Sequence, residues 1–327
     1  MRELLATEDA VAIAPGRLPY GAVLRAPAPL RPLLAWLLAW RIKRATGGPV
    51  DVVVAYHAVQ WPAVERLLAT GTAKRAWYMR WDRYEAAHDA GEHATQLLTD
   101  WHARLAMASS LTFTVSDRLA ELEHEAGRQA ICVGQPADSF PSEPLQGRLP
   151  GTPLPEGSLV AVSLGHLGRR TNWSLLRQIV ELAPELYLVL VGRAYPHEAA
   201  GDPDFAWLEL TPRVRWLGPL DDCRAAEAIA AADVGIVPFR VEPFNDAGLP
   251  NRILKYARLG RRTVSPTLEG SRTWSNAVDF ADTPAQFVAA LRAQAGRRAE
   301  PDAELRAWAL EQTAAKMNAP LHAALRD

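Results

Sequence analysis

Two α/β domains, each a doubly wound parallel sheet, are the architecture that this sequence predicts. Short runs rich in Val, Leu and Ile alternate with segments of helical character along most of the chain. At 327 residues the chain exceeds the size at which a single core stops growing. A proline-dense stretch carrying Pro136, Pro141, Pro144, Pro150, Pro153 and Pro155 separates two such alternating series. The domains drawn from this are 1–140, a linker at 141–158, a second domain at 159–300, and a terminal helical segment at 301–327.

Taken in order, residues 2–6 read as the end of a helix and 9–15 as a strand. Segment 28–46 is the most lopsided in the chain: Leu33, Leu34, Trp36, Leu37, Leu38 and Trp40 precede Arg41, Lys43 and Arg44. It fits either an interfacial helix on an anionic membrane surface, with Trp at headgroup level, or a helix buried on the sheet whose basic last turn suits its dipole. Buried strands follow at 50–56, 76–82, 111–115 and 130–133, with Ser116 and Asp117 capping a helix to about 125. In the second domain the strands fall at 159–164, 186–191, 214–217, 234–237 and 263–265. Helices are expected at 173–182, 224–231, 251–259 and 284–292, with a last one at 302–317.

Apolar residues make up 49% of the chain, enough for ordinary cores, and a net charge of −1 gives no reason to expect nucleic acid as a partner. Cys132 and Cys223 lie far apart with no metal-ligand spacing. With no signal peptide and no apolar run long enough to span a bilayer, the expected location is cytoplasmic, with peripheral contact at the inner face of the membrane under the interfacial reading of 28–46. No nucleophile elbow, P-loop or zinc motif appears.

The chain is organised around 231–266. A buried strand at Asp233–Pro238 leads into a polar loop with Glu242, Asn245, Asp246 and Gly248. Pro250 then stands at the first turn of a helix that Gly260 ends. A loop that leaves a parallel strand and feeds a helix is where open α/β sheets bind ligands, and such a helix N-terminus suits a diphosphate.

The pattern formed by Pro250, Arg252, Lys255, Tyr256, Gly260, Arg261 and Val264 resembles the C-terminal half of GT-B-fold glycosyltransferases, in the branch that writes P-x-K-x-x-E-Y-x-A-x-G-K-P-V-V. Three further stretches are similar to family elements: Gly165–Trp173 after the first strand of the second domain, Val189–Arg193, and Val214–Leu220. The resemblance covers 159–266 closely and the N-terminal domain loosely. It implies two Rossmann-like domains facing a cleft, with the terminal helical segment at 301–327 crossing back to the first domain, no bound cofactor or metal, and a nucleotide-diphosphate sugar as co-substrate. The donor would sit on the second domain, and a glycan or lipid-linked acceptor between the domains. It also implies a first strand and glycine-bearing loop before residue 2, which this sequence lacks.

Donor-binding candidates are Gly165, His166, Gly168, Arg169, Arg193, Trp216, Glu242, Leu249, Asn251, Arg252 and Lys255. Glycines let a backbone approach phosphate, and Arg252 can grip phosphate oxygens in bidentate fashion. Lys255 departs from the family, whose acidic residue there holds the ribose hydroxyls; a cation cannot accept those bonds, and Glu242 is the candidate replacement. For the base that takes the acceptor proton, Tyr78-x-x-x-Asp82 is similar to a family motif whose Asp is the general base in the xanthan-assembly glucuronosyltransferase branch. An N-cap role is the alternative for Asp82, and His57 is the second candidate base. Glu85, His88, Asp89 and Glu92 fall at helical spacing and read as a solvated acidic face. Beside sugar transfer stand a non-catalytic scaffold or glycan-binding protein, which Lys255 and the absent first strand favour, and a nucleotide-sugar epimerase, for which no carboxylate pair is evident.

Overall fold

The computed structural model describes residues 2–13, 21–87, 91–142, 146–151 and 153–326. The chain divides into two compact units, residues 1–134 with 247–249 and 318–327, and residues 135–246 with 250–317.

In the first unit β1 (Val50–Ala55), β2 (Ala73–Arg80), β3 (Leu111–Thr114) and β4 (Ile131–Cys132) form a parallel sheet in the order β1-β2-β3-β4. Strand periodicity sends alternate residues of β2 to opposite faces. Ala76 and Tyr78 pack with Leu38, Val64, Leu67 and Leu105 from the helices Arg31–Thr46, Trp61–Ala69 and Gly91–Ala108. Trp77 and Met79 pack on the other face with Phe113, Val133 and Leu321, the last from the helix Ala314–Arg326. Asn318 and His322 of that helix tie it to Glu3 and Glu8.

The second unit holds a six-stranded parallel sheet of β5 (Leu159–Leu164), β6 (Leu186–Val191), β7 (Val214–Gly218), β8 (Val234–Ile236), β9 (Thr263–Ser265) and β10 (Val278–Phe280), in the order β10-β9-β8-β5-β6-β7. Leu159 and Ala161 of β5 enter one core while Val160 and Val162 enter the other. Burial on both faces explains why these strands read as unbroken apolar runs. The strand order reverses between β5 and β8, so the switch point lies at their carboxyl ends, where ligands of open α/β sheets bind.

The expected doubly wound architecture is borne out, with local corrections. Residues 9–13 form no strand, and Ala14 and Pro15 of that expectation lie outside the described residues. The strand expected at 76–82 ends at Arg80, so Asp82 sits in the following bend. The stretch after Gln135 is no detached linker: Phe140 is buried against Val160, Val162 and Val189, and Leu149 and Leu154 pack on the same core. The helix expected at 302–317 is two, Ala303–Leu310 and Ala314–Arg326. Pro250 precedes the N-cap Asn251 of the helix Arg252–Ala257 instead of starting it. The helix Pro203–Leu210 and strand β10 went unread; the helix is announced by Asp202 as N-cap and Pro203 at its first position. Among the described residues no helix is long and apolar enough to cross a membrane.

Segment 28–46 packs on the core of the first unit through one side of its helix and exposes the other. A short turn, Ala28–Leu30, leads into the helix Arg31–Thr46. Ala35, Leu38, Ala39 and Ile42 are buried, whereas Leu33, Trp36 and Trp40 are exposed.

Candidate functional site

At the switch point the chain brings its glycines and cations together. Tyr256, from the helix after β8, accepts the Leu164 N–H at 2.7 Å and donates to the Ile236 carbonyl at 3.3 Å, pinning the end of β5 to the end of β8. Gly235 makes room for it: a Cβ there would stand 2.1 Å from the Tyr256 ring. Burial pushes the Tyr256 pKa up to about 12, so it remains a neutral hydroxyl. One turn earlier, Arg252 reaches the Gly165 backbone, where a Cβ would meet its guanidinium at 2.7 Å. Gly192 is equally confined, since a Cβ on it would lie 1.8 Å from the Gly165 carbonyl oxygen.

Arg252 lies over the Phe239 ring at 4.7 Å, and Arg170 lies over the same ring at 4.6 Å. Arg170 donates to Asn245 at 2.7 Å, and Asn245 donates in turn to Glu242 at 3.1 Å. No carboxylate pairs with Arg252 among the described residues. Burial first, and the neighbouring Arg170 as well, push its pKa down to about 10, which still leaves it a cation at neutral pH. Two guanidinium groups sharing one ring, one of them without a counterion, form a site of net positive charge suited to an anion.

Beside them lies a cavity of about 290 Å³ at the carboxyl ends of β5, β6 and β7, lined by Gly165, His166, Arg193, Tyr195, Asp222 and Lys255 among others. His166 stacks on Tyr195 at 4.2 Å and meets Glu198 at 2.8 Å. Burial alone would raise the Glu198 pKa; the Arg169 backbone N–H and His166 outweigh it and hold the carboxyl below its ordinary value. Lys255 pairs with Asp222 at 3.3 Å and lies over the Phe140 ring.

The sequence candidates therefore separate. Gly165, His166, Arg193 and Lys255 line the cavity; Gly168, Arg169 and Arg252 adjoin it through Glu198 and Gly165. Trp216 packs into the core with Trp173 and Phe205. Leu249 is buried and groups with the first unit. Asn251 donates to the Pro136 carbonyl, and Glu242 is held by Asn245 rather than near Lys255. The acid beside Lys255 is Asp222, which sequence reasoning passed over because it looks like one more first-turn helix residue. Tyr195 and Glu198 were missed too, having no motif around them.

In the first unit, Asp82 is half-buried in the bend after β2. It does not cap the short helix Tyr84–Ala86, whose N-cap is Arg83. Burial first, and the charge of Asp82 second, raise the Tyr84 pKa. His57 caps the turn Ala58–Gln60: its Nδ1 accepts the Val59 N–H at 3.0 Å, and its ring lies 3.9 Å from that of Tyr84. Burial pushes the His57 pKa down to about 4. A neutral ring with Nδ1 so engaged carries its proton on Nε2 and offers no lone pair to a substrate. Of the acidic helix-face candidates, Glu85 pairs with the buried Arg80, which also holds Glu123. His88 and Asp89 lie outside the described residues, as does the side chain of Glu92.

Residues 160–295 match the family model for glycosyl transferases group 1. A curated relative, TuaH of Bacillus subtilis, named as a teichuronic acid biosynthesis glycosyltransferase, is 24% identical over 160 residues, 48% of this chain and 38% of that protein. The match thus spans well under half of the relative's length. Among solved structures, HepE of Anabaena, crystallised with UDP and glucose, superposes with a TM-score of 0.66 at 13% identity, over 94% of this chain and 84% of that one. Sucrose-phosphate synthase of Thermosynechococcus elongatus gives a TM-score of 0.66 at 14% identity, over 98% and 85%. The GT-B fold is shown, and the resemblance read from the sequence is borne out.

Proposed function

We propose that this chain is a glycosyltransferase that moves a sugar from a nucleotide-diphosphate donor to an acceptor hydroxyl on a glycan or lipid-linked molecule, in the cytoplasm. The observation that carries the reading is Arg252, a cation without a carboxylate partner, set against Gly165 beside Arg170 at the switch point. A leaving diphosphate needs such preorganised charge. The adjoining cavity receives the nucleoside, with Asp222 as the acceptor for ribose hydroxyls that Lys255 cannot provide. That HepE was solved with UDP and glucose supports uridine diphosphate as the first probe. Asp82 is the reading's proton acceptor, since the ring of His57 has no lone pair to give.

A thermal-shift panel of nucleoside diphosphates, followed by donor hydrolysis assays, tests this. A ligand at a hundred times its Kd stabilises the fold by about 2.7 kcal/mol. If no nucleoside diphosphate stabilises the protein, the reading fails. The ion pair of Lys255 with Asp222 inside the cavity favours a second reading, a non-catalytic member of the fold. Tight UDP binding with no turnover of any UDP-sugar would select it.

A further inference from the structure

The helix Arg31–Thr46 is apolar on two sides, and among the described residues one of them is buried while the other is largely exposed. Ala35, Leu38, Ala39 and Ile42 face the core of the first unit. On the opposite side Leu33, Trp36 and Trp40 are 54%, 43% and 46% exposed, and Leu30 of the preceding turn extends the row at 50%. Spacings of three and four residues place them on one stripe. Lys43 and Arg44 are both exposed at the end of this stripe, with Arg44 lying over the Trp40 ring at 5.6 Å.

Charge is as one-sided as hydrophobicity. Between Asp9 and Asp51 the sequence has six basic residues and no acidic one, in a protein whose overall net charge is −1. We infer that this face docks on the surface of an anionic phospholipid bilayer, with the helix lying in the interface plane. Trp36 and Trp40 would enter at headgroup level, where indole rings satisfy both an apolar body and a polar N–H. Lys43 and Arg44 would extend their stems along the apolar stripe and place their charges among lipid phosphates. A second copy of the chain is the poorer occupant: a two-fold interface sets a patch against itself, and here it would oppose like charges. The inference rests on the surface of the first unit alone and stands or falls apart from the transferase reading.

Co-sedimentation of the full chain with vesicles of phosphatidylglycerol and phosphatidylcholine in equal amounts, against phosphatidylcholine alone, tests it. Binding is expected only to the anionic vesicles, with release at high salt. Lys43→Glu with Arg44→Glu should weaken it by about thirtyfold or more, and Trp36→Ser with Trp40→Ser by at least about tenfold. Both double variants should keep the parent melting temperature, because all four side chains are exposed. Failure of the parent to bind anionic vesicles overturns the inference, as does weakening by only one of the two variants. A fall in melting temperature in the Trp variant comparable to loss of core residues would also overturn it. So would self-association of the parent, lost in the Trp variant, without vesicle binding.

Discussion

Replacing Arg252 by Met removes the guanidinium that lies over Phe239 and keeps an unbranched stem. In the free protein this cation is poorly placed. Its pKa falls to about 10 from an ordinary 12.5, which corresponds to a cost on the order of 3 kcal/mol for keeping the charge there. That cost is fully present at neutral pH, where the guanidinium is charged in both folded and unfolded chains. A diphosphate would supply the missing counterion, and charge-assisted bonds contribute roughly 1.5–3 kcal/mol. The Arg252→Met protein should therefore melt no lower than the parent, and even somewhat higher, while binding UDP at least about tenfold more weakly. Affinity for uridine, which lacks the phosphates, should stay the same. Calorimetric titration with both ligands, alongside thermal melts without ligand, measures all three quantities. Equal UDP affinity in parent and variant would refute the assignment of Arg252 to the diphosphate. A large drop in ligand-free melting temperature would show instead that the arginine is structural.

Asp82→Asn keeps the shape and removes the basicity, so transfer rates should fall by about 10²- to 10⁴-fold with UDP affinity and melting temperature unchanged; a fully active variant would remove Asp82 from the mechanism. Tyr256→Phe strips the hydroxyl that serves Leu164 and Ile236 and leaves the Leu164 N–H without its acceptor, so chemical denaturation should show a loss of about 1–3 kcal/mol. His322 gains Glu8 and Glu3 as partners, and the bond to Glu8 first, then that to Glu3, raise its pKa above 6.5. A group whose pKa is raised on folding contributes fully below its unfolded value and loses that contribution as pH rises through the folded one. The melting temperature of the parent relative to His322→Gln should therefore fall as pH rises above about 6.5, and a pH-independent difference would refute the role.

Much of the architecture could be read from the chain because its physics is local. Strands buried on both faces must be apolar throughout, and β5, β6 and the start of β8 announce themselves for that reason. Tyr256 and Arg252 were legible as part of a pattern, and the structure supplies a cause for the first: its ring needs the space that the missing Cβ of Gly235 leaves, and its hydroxyl joins two strand ends. Strand β10 was harder, since it lies at the sheet edge and carries Asp279 at its centre, so it is no unbroken apolar run.

Which residues share a site was decided elsewhere. Asp222 meets Lys255 across 33 positions of sequence, and Glu198 meets His166 across 32; neither acid sits in a motif, because its meaning comes from a partner on another element. His57 and Asp82 looked alike as polar residues after strands. Tertiary placement separated them, by spending the His57 lone pair on a turn and leaving Asp82 in a bend it does not cap. Composition marks the proline-dense stretch as a linker, yet Leu149 and Leu154 within it pack, beside Phe140, on a core of the second unit. Sequence determines what each segment can form, through periodicity, caps and glycines. Only the fold decides which distant side chains become neighbours, because charge, burial and hydrogen-bond partners are properties of the assembled surroundings and not of the residue.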